Sequence, residues 1–420
     1  MNLVRNLRRS STGLISRITA SSSSFSTNAT NTSHGGWEDR EEPLEEYAPS
    51  GLQPVVIGDV LGSKYRVVSK LGWGVYSTVW LVQQQSNGPF AALKLLAGYV
   101  TDVPQLHELE YLQRMRDQSP THPGHSHVLQ LLDHFYHQGP TGKHLCLVTE
   151  PLAQDLHSFS KRWGGSFLPF ELIKRITRQV ILGLQYLHEE CNIIHTDIKP
   201  ANIMMAVNND VFATAASFPI ETSIGNSPDK RQITRVRSQP IPYPIPEGDL
   251  TSSATWKDVQ VKLADVGVSC WADKVDEHFT DLIQSPGLRA PEVCIGAGWG
   301  KPADIWSLGC TIYELYLGTP LMRRDIQDMS VPYIHRLLFG DYPPDLVNRG
   351  KYKDVFFNDD GSMKVASSER TSIDVSIRKR GAPDADMFID FLKLMLTLDP
   401  AKRASCEDLL AHEWLKEIDQ

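Results

Sequence analysis

The sequence predicts an α+β fold in two parts, a small antiparallel β lobe carrying one helix and then a larger, mainly helical lobe. Apolar residues fall in short β-rich runs early in the chain and at helical spacing after Phe170. Strands gathered first and helices gathered later point to segregated layers, not to alternating βαβ units. The 420 residues exceed one ordinary domain and suffice for two lobes with tails.

The first 37 residues stand apart. They carry Arg5, Arg8, Arg9 and Arg17, a serine run from Ser21 to Ser24, and no acidic residue before Glu38. That composition fits an organellar transit peptide or a disordered basic tail. Residues 38–54 read as an acidic linker, broken by Pro43. The small lobe is expected over 55–152. Strands are read at 65–68, 79–82, 90–93 and 145–148, with a turn at Asn87-Gly88-Pro89. Leu106, Leu109, Leu112 and Met115 recur about three apart, as on one helix face.

The large lobe is expected over 153–416. Leu172, Ile176, Val180, Leu184 and Leu187 form a stripe to be buried against other helices. Further apolar helices are read at 304–317 and 388–398, the second ended by Asp399-Pro400. Segment 207–258 is polar, and Pro240, Pro242, Pro244 and Pro246 alternate along it. Such prolines favour extended polyproline backbone, so it reads as a largely disordered surface insertion.

Composition narrows the function classes. A hydrophobic content of 41% and a charged content of 22% are those of a soluble globular protein. The net charge of −8 gives no electrostatic case for nucleic acid and would suit a basic peptide. The six cysteines form no C-x-x-C pair, which argues against zinc and suits a reduced intracellular compartment. No apolar run reaches the roughly 18 residues of a membrane span.

The chemistry lies in ordered motifs. In Leu71-Gly72-Trp73-Gly74-Val75-Tyr76-Ser77-Thr78-Val79, two glycines let a hairpin backbone approach phosphates. A strand follows it, not a helix, which argues against a dinucleotide-binding fold. Lys94 ends an apolar strand beneath that loop, placed to neutralise phosphates. It needs a carboxylate partner. Glu108 is the candidate, and Glu110 is the alternative on a different side of the same helix. The strongest stretch is His195-Thr196-Asp197-Ile198-Lys199-Pro200-Ala201-Asn202. Asp197 can accept a proton from a hydroxyl nucleophile, Lys199 can neutralise a moving phosphoryl group, and Asn202 can ligate a metal. Asp265-Val266-Gly267 offers a carboxylate suited to Mg²⁺. Glu292 in Ala290-Pro291-Glu292 needs a buried cation, and Arg403 is well placed in order. Arg235-Val236-Arg237-Ser238 sets a serine beside two arginines. It reads as a solvated charged loop or as an autophosphorylation site.

These motifs occur in the order of the protein-kinase signature, which the chain resembles from Tyr65 to Trp414. The resemblance implies a two-lobed protein kinase fold using ATP and Mg²⁺. It makes Leu71 to Val79 the phosphate-covering loop, Lys94 and Glu108 the ion pair, and Asp197 the catalytic base with Lys199 beside it. Asn202 and Asp265 become the metal ligands. Thr149 falls at the gatekeeper position, and Glu150 and Leu152 fall at the adenine-binding hinge. Ser285 falls where serine/threonine-specific kinases keep a hydroxyl near the catalytic aspartate.

A narrower likeness appears in Leu71-Gly72-Trp73-Gly74, Ser77-Thr78-Val79-Trp80, His195-Thr196-Asp197, the long insertion and Asp265-Val266-Gly267-Val268-Ser269-Cys270-Trp271. These resemble the SR-protein kinases, which phosphorylate arginine–serine-rich splicing factors through an acidic docking groove. The likeness implies protein substrates, no direct nucleic-acid partner, a monomer, and cytoplasm and nucleus as locations. The first 37 residues suggest mitochondria instead. Thr196 stands where many kinases have an arginine that reads a phosphorylated loop, so activity is expected without loop phosphorylation. Arg323 and Arg324 stand beside Asp325 and Asp328, so that stretch is not uniformly acidic. A scaffold that binds nucleotide without transfer is the alternative reading.

Overall fold

The computed structural model describes residues 36–85, 87–164, 167–274, 280–365 and 371–416. All but the last two residues of the basic N-terminal segment lie outside them. The small lobe is a six-stranded antiparallel sheet. Its strands are β1 (Val60–Leu61), β2 (Tyr65–Gly74), β3 (Ser77–Gln84), β4 (Phe90–Leu96), β5 (Leu131–Gly139) and β6 (Gly142–Thr149). Their order is β1-β2-β3-β4-β6-β5.

Strand periodicity decides which side chains reach the cleft. In β4, Ala91, Leu93 and Leu95 point into the outer apolar cluster of the sheet. Lys94 therefore points to the opposite face. It sits between Val79 of β3 and Leu147 of β6, in the middle of the sheet. The helix α1 (Glu108–Asp117) starts later than its apolar spacing implies, and Tyr111, Leu112 and Met115 are its buried apolar residues.

The large lobe is built on α2 (Phe170–Gln185) and α3 (Lys301–Leu317). Buried residues on α2 include Leu172, Ile176, Val180 and Leu184, the expected stripe. The helix α3 is buried along nearly its whole length. Further helices are α4 (Val331–Phe339) and α5 (Ala385–Met395). Short pairs carry the motif loops: β7 (Ile193–Ile194) with β12 (Cys270–Trp271), and β8 (Ile203–Met205) with β11 (Val261–Leu263). Among the described residues no helix is long and apolar enough to cross a membrane.

Two expectations need correction. Segment 207–258 is folded, not largely disordered. It contains a hairpin of β9 (Thr222–Asn226) and β10 (Gln232–Val236). Phe212, Ile233, Val236, Ile241 and Trp256 are each at most 2% exposed. These apolar residues are few in a polar stretch and show no period. They fall in three different apolar clusters of the body, which local patterning cannot reveal. The proline run carries neither helix nor strand, yet it is docked: the Gln154 N–H donates to the Ile241 carbonyl at 2.7 Å. Tyr243 meets Phe159 edge to face. Residues 38–54 are likewise not a free linker. Glu41 and Glu42 are buried, and Tyr47 and Leu52 pack with Ala97, Val100 and Ile233.

Glu292 and Arg403 form the expected pair. Two parallel bonds of 2.7 and 2.6 Å join them, and both side chains are 1% exposed. Removing one partner strands the other charge in a dry interior. Arg403→Ala is therefore expected to lower unfolding stability by about 3–5 kcal/mol in denaturant titration. A loss under about 1 kcal/mol would show that water reaches the pair.

His335 on α4 is also fully buried, against Trp306 and the Tyr342 hydroxyl. Burial, with the charges of Arg403 and Arg289, pushes its pKa down to about 3 from 6.5. The unfolded chain therefore takes up a proton that the folded chain refuses. Stability is full above about pH 6.5 and falls as pH drops towards 3, by at most about 1.4 kcal/mol per pH unit. The melting temperature should decrease from pH 7 to pH 5, and less steeply in His335→Gln. Equal slopes would assign the effect to other groups.

Candidate active site

Three segments meet beneath the sheet. Lys94 reaches down from β4, and its ammonium lies 2.5 Å from Glu108 Oε1 and 3.3 Å from Asp265 Oδ1. Glu108 occupies the first turn of α1, where the helix dipole favours a carboxylate. Glu110 is half exposed and lies near His107 instead, so Glu108 is the partner. Burial alone would lower the Lys94 ammonium, but Glu108 and Asp265 outweigh it and hold it above the ordinary lysine range. Burial alone would raise the Asp265 carboxyl, but Lys94 and Lys199 outweigh it and hold it below the usual range. Asp265 is thus ionised and fit to bind a cation.

Asp197 lies on the loop after β7. Lys199 Nζ is 2.6 Å from its Oδ2, and Asn202 Nδ2 donates to the same oxygen at 3.0 Å. Ser285 Oγ stands 3.4 Å from its Oδ1. The Asn202 amide nitrogen also donates to the Asp197 carbonyl, which leaves Oδ1 as the atom it could offer a cation. Asn202 and Asp265 together supply hard oxygen donors, a set that suits Mg²⁺, which takes few protein ligands beside phosphates and water. Among the described residues no three His, Cys, Asp or Glu side chains form a dedicated metal cage.

The glycine-rich loop joins β2 to β3. A Cβ built at Gly72 would meet nothing within 4 Å, so the space beside the backbone is open for phosphate oxygens. Ser77 and Thr78 turn into the sheet, where Thr78 Oγ1 accepts from the Trp80 indole at 2.9 Å. Trp73 leaves the cleft and donates to the Arg40 carbonyl at 3.2 Å. Val75 accepts from the Tyr99 hydroxyl through its carbonyl. Tyr76 instead enters the cleft, its ring 5.7 Å from Lys94 Nζ. Its hydroxyl comes so close to Gly267 that a Cβ there would lie 2.6 Å from it. Only glycine fits.

At the hinge, the Glu150 carboxylate is engaged by Lys262 at 2.8 Å and by the Gln130 backbone N–H at 2.9 Å. Thr149 and Leu152 are buried. The side chains of Thr149, Glu150 and Leu152 are therefore held, and the Glu150 N–H is taken by the Gln130 carbonyl at 3.1 Å, so the Glu150 carbonyl and the Leu152 backbone are what this strand end offers a ligand.

The motif reading missed Asp304. Its carboxylate is fully buried on α3. It accepts from the His195 and Thr196 N–H groups at 2.8 Å each and lies 2.9 Å from His188 Nε2. An aspartate inside an apolar helix was the available signal, since a buried charge must find partners. Asp304 holds Thr196 at φ 67°, a left-handed value rare for a β-branched residue. The Thr196 hydroxyl then donates to the Val268 carbonyl at 2.8 Å, tying the Asp197 loop to the Asp265 loop.

A sequence model described as the protein kinase domain matches residues 65–228 and 252–415. The chain is 34% identical to serine/threonine-protein kinase SRPK of Physarum polycephalum, covering 91% of this chain and 93% of that one. It is 30% identical to protein kinase dsk1 of Schizosaccharomyces pombe, covering 90% and 85%. The chain belongs to the protein kinase family, in its SR-protein-kinase branch. SRSF protein kinase 3 of Mus musculus is also 30% identical, over 90% of this kinase and 91% of its own length. A crystal structure of a kinase domain superposes with a TM-score of 0.62 at 22% identity, covering 86% of this chain and 98% of that one, which bears on the fold alone. This kinase is an ATP-dependent protein serine/threonine kinase, and the family in general uses ATP and Mg²⁺.

The loop link from Thr196 to Val268 is made by a neutral hydroxyl, a contact that needs no phosphate to form. Phosphatase-treated protein should therefore keep its activity towards a basic serine peptide. Abolition of transfer by the phosphatase would refute this.

Proposed function

We propose that this kinase transfers the γ-phosphoryl group of ATP to serines flanked by arginine in protein substrates, splicing factors of arginine–serine type among them. The supporting observation is the placement of Asp197, with Lys199, Asn202 and Ser285 around its carboxylate and Lys94 spanning Glu108 and Asp265 nearby. Phosphoryl transfer needs chiefly positioning and charge neutralisation, and this set supplies both. Asp197 orients the substrate hydroxyl and accepts its proton. Lys199 offsets charge on the group in flight. Lys94 holds the α- and β-phosphates while the backbone from Leu71 to Val79 covers them. Backbone groups of Glu150 and Leu152 receive the adenine. Asn202 and Asp265 hold Mg²⁺, which neutralises phosphate charge when bound.

The substrate class draws support from the relatives, two of which are named as kinases of SR proteins or SR splicing factors. The net charge of −8 favours basic partners. The acids of the 323–328 stretch are paired with arginines, Asp325 with Arg323 and Asp328 with Arg289. Selection for arginine therefore rests on other acids or on the cleft itself.

The test is a panel of serine peptides carrying arginine, lysine or neutral flanks, assayed with Mg-ATP. The arginine–serine peptides should show the highest kcat/KM, and equal use of lysine peptides would remove the arginine preference. Asp197→Ala and Lys94→Met should lower transfer by about 10²–10⁴-fold with little change in thermal unfolding. Wild-type protein that binds ATP yet phosphorylates no peptide would favour the scaffold reading.

A further inference from the structure

The strand that leads into the glycine-rich loop is clamped from outside by groups with no part in the transfer chemistry. Lys70, just before Leu71, is fully buried, at an irregularity in the β2–β3 register. Its ammonium lies 2.7 Å from Glu41 Oε2 and also meets Glu42. Glu42 accepts in turn from the Tyr47 hydroxyl at 2.5 Å. Glu41 is the junction with the insertion. It accepts from the Ser238 N–H at 2.7 Å and from the Ser238 hydroxyl at 2.8 Å. The next residue, Gln239, donates its N–H to the Lys70 carbonyl at 2.8 Å. Arg235 donates to the carbonyls of Glu38 and Glu42 at 3.2 and 3.4 Å.

Segment 207–258 leaves the large lobe after β8 and rejoins it before β11. In between it reaches β2, so it acts as a strap from the large lobe to the nucleotide strand. Its attachment at Ser238 is an electrostatic balance. Two buried carboxylates face one lysine, with Arg235 the other named cation nearby.

We propose that Ser238 is a phosphorylation site, modified by a second copy of this kinase, and that its phosphate frees the strap from β2. The proposal rests on the reading of this chain as a kinase of arginine-flanked serines. Ser238 is itself such a serine, preceded by Arg235 and Arg237. It is part-buried, and it follows a hairpin that pairs with no other sheet but packs Ile233 and Val236 into the body, so transfer requires that local unit to lift. Its partners are Glu41 and the strand at Lys70, none of which contacts Asp197, so transfer occurs between copies. The Ser238 oxygen bonds to the γ-phosphorus of ATP, the bond to the β,γ-bridging oxygen breaks, ADP leaves, and the hydroxyl proton passes to Asp197 of the second copy.

The product cannot keep the old contacts. Phosphorylated Oγ no longer donates to Glu41. About two negative charges enter beside Glu41 and Glu42. Like charges at such range repel, and Glu41 must give up either Lys70 or the strap. Loss of the Gln239 bond to Lys70 then loosens β2 just ahead of the phosphate-covering loop.

The test uses the full chain. Wild-type protein is incubated with Mg-ATP, alone and with an Asp197→Asn chain as substrate, and phosphopeptides are mapped. Phosphate on Ser238 of both chains is expected. Phosphorylated and unphosphorylated wild-type fractions, and Ser238→Glu and Ser238→Ala, are then compared for ATP KM and hydrogen exchange. The phosphorylated fraction and Ser238→Glu should show a several-fold higher KM and faster exchange over 222–239, with Ser238→Ala near the unphosphorylated protein in KM. An unmodified Ser238 while an added arginine–serine peptide is phosphorylated would overturn the proposal alone. Phosphate on Ser238 with unchanged KM and exchange would overturn the strap release. Failure to phosphorylate either would overturn the underlying reading of substrate and activity.

Discussion

The carboxylate of Asp304 accepts from two successive backbone N–H groups, those of His195 and Thr196, on a helix that is buried along nearly its whole length. A carboxyl group in that interior is tolerable only with such hydrogen-bond partners. The consequence is geometric. Thr196 is held in a left-handed conformation that costs of order 1–3 kcal/mol and persists only where surroundings over-determine it. From that conformation its hydroxyl reaches Val268, and the chain turns to present Asp197. The catalytic loop is therefore positioned by the core of the large lobe.

Lys94 performs the matching task between the lobes. It comes from the middle of the sheet, takes Glu108 from α1, and reaches Asp265 from the large lobe. One cation thus joins a strand and a helix of the small lobe to a loop 171 residues further along the chain. Its charge keeps Asp265 ionised, so the same contact that aligns the lobes also prepares a metal ligand. Tyr76 closes the front of this cluster over Gly267. Its ring stands near the Lys94 ammonium, a cation–π contact that favours the charged form of the lysine.

Much of this was legible in the residues. The alternation in β4 puts Lys94 opposite Leu93 and Leu95, and the short spacing from Asp197 to Asn202 makes their contact nearly local. Glu292 and Arg403 were legible as a pair because a carboxylate to be buried needs a cation and Arg403 follows in the expected order. Glu108 against Glu110 was harder, since two positions apart on a helix means different faces and the start of α1 was not evident. The mistakes share one cause. Glu41, Glu42 and the apolar residues of the insertion show no period, because each is buried by a different distant segment. A polar, proline-rich stretch looks unfolded until the sites that receive its few apolar side chains are known.

The order of motifs, the residue types at each and the two-lobe division were determined by the sequence itself. They depend on local spacing, strand and helix period, and the chemistry each side chain can perform. Tertiary structure alone decided that Asp304 sets the Thr196 backbone, that Tyr76 lies over Gly267, and that the insertion returns to grip Lys70 through Glu41. Each of those joins residues tens to hundreds of positions apart. Such contacts follow from how packed surfaces meet, and a linear pattern carries no record of that meeting.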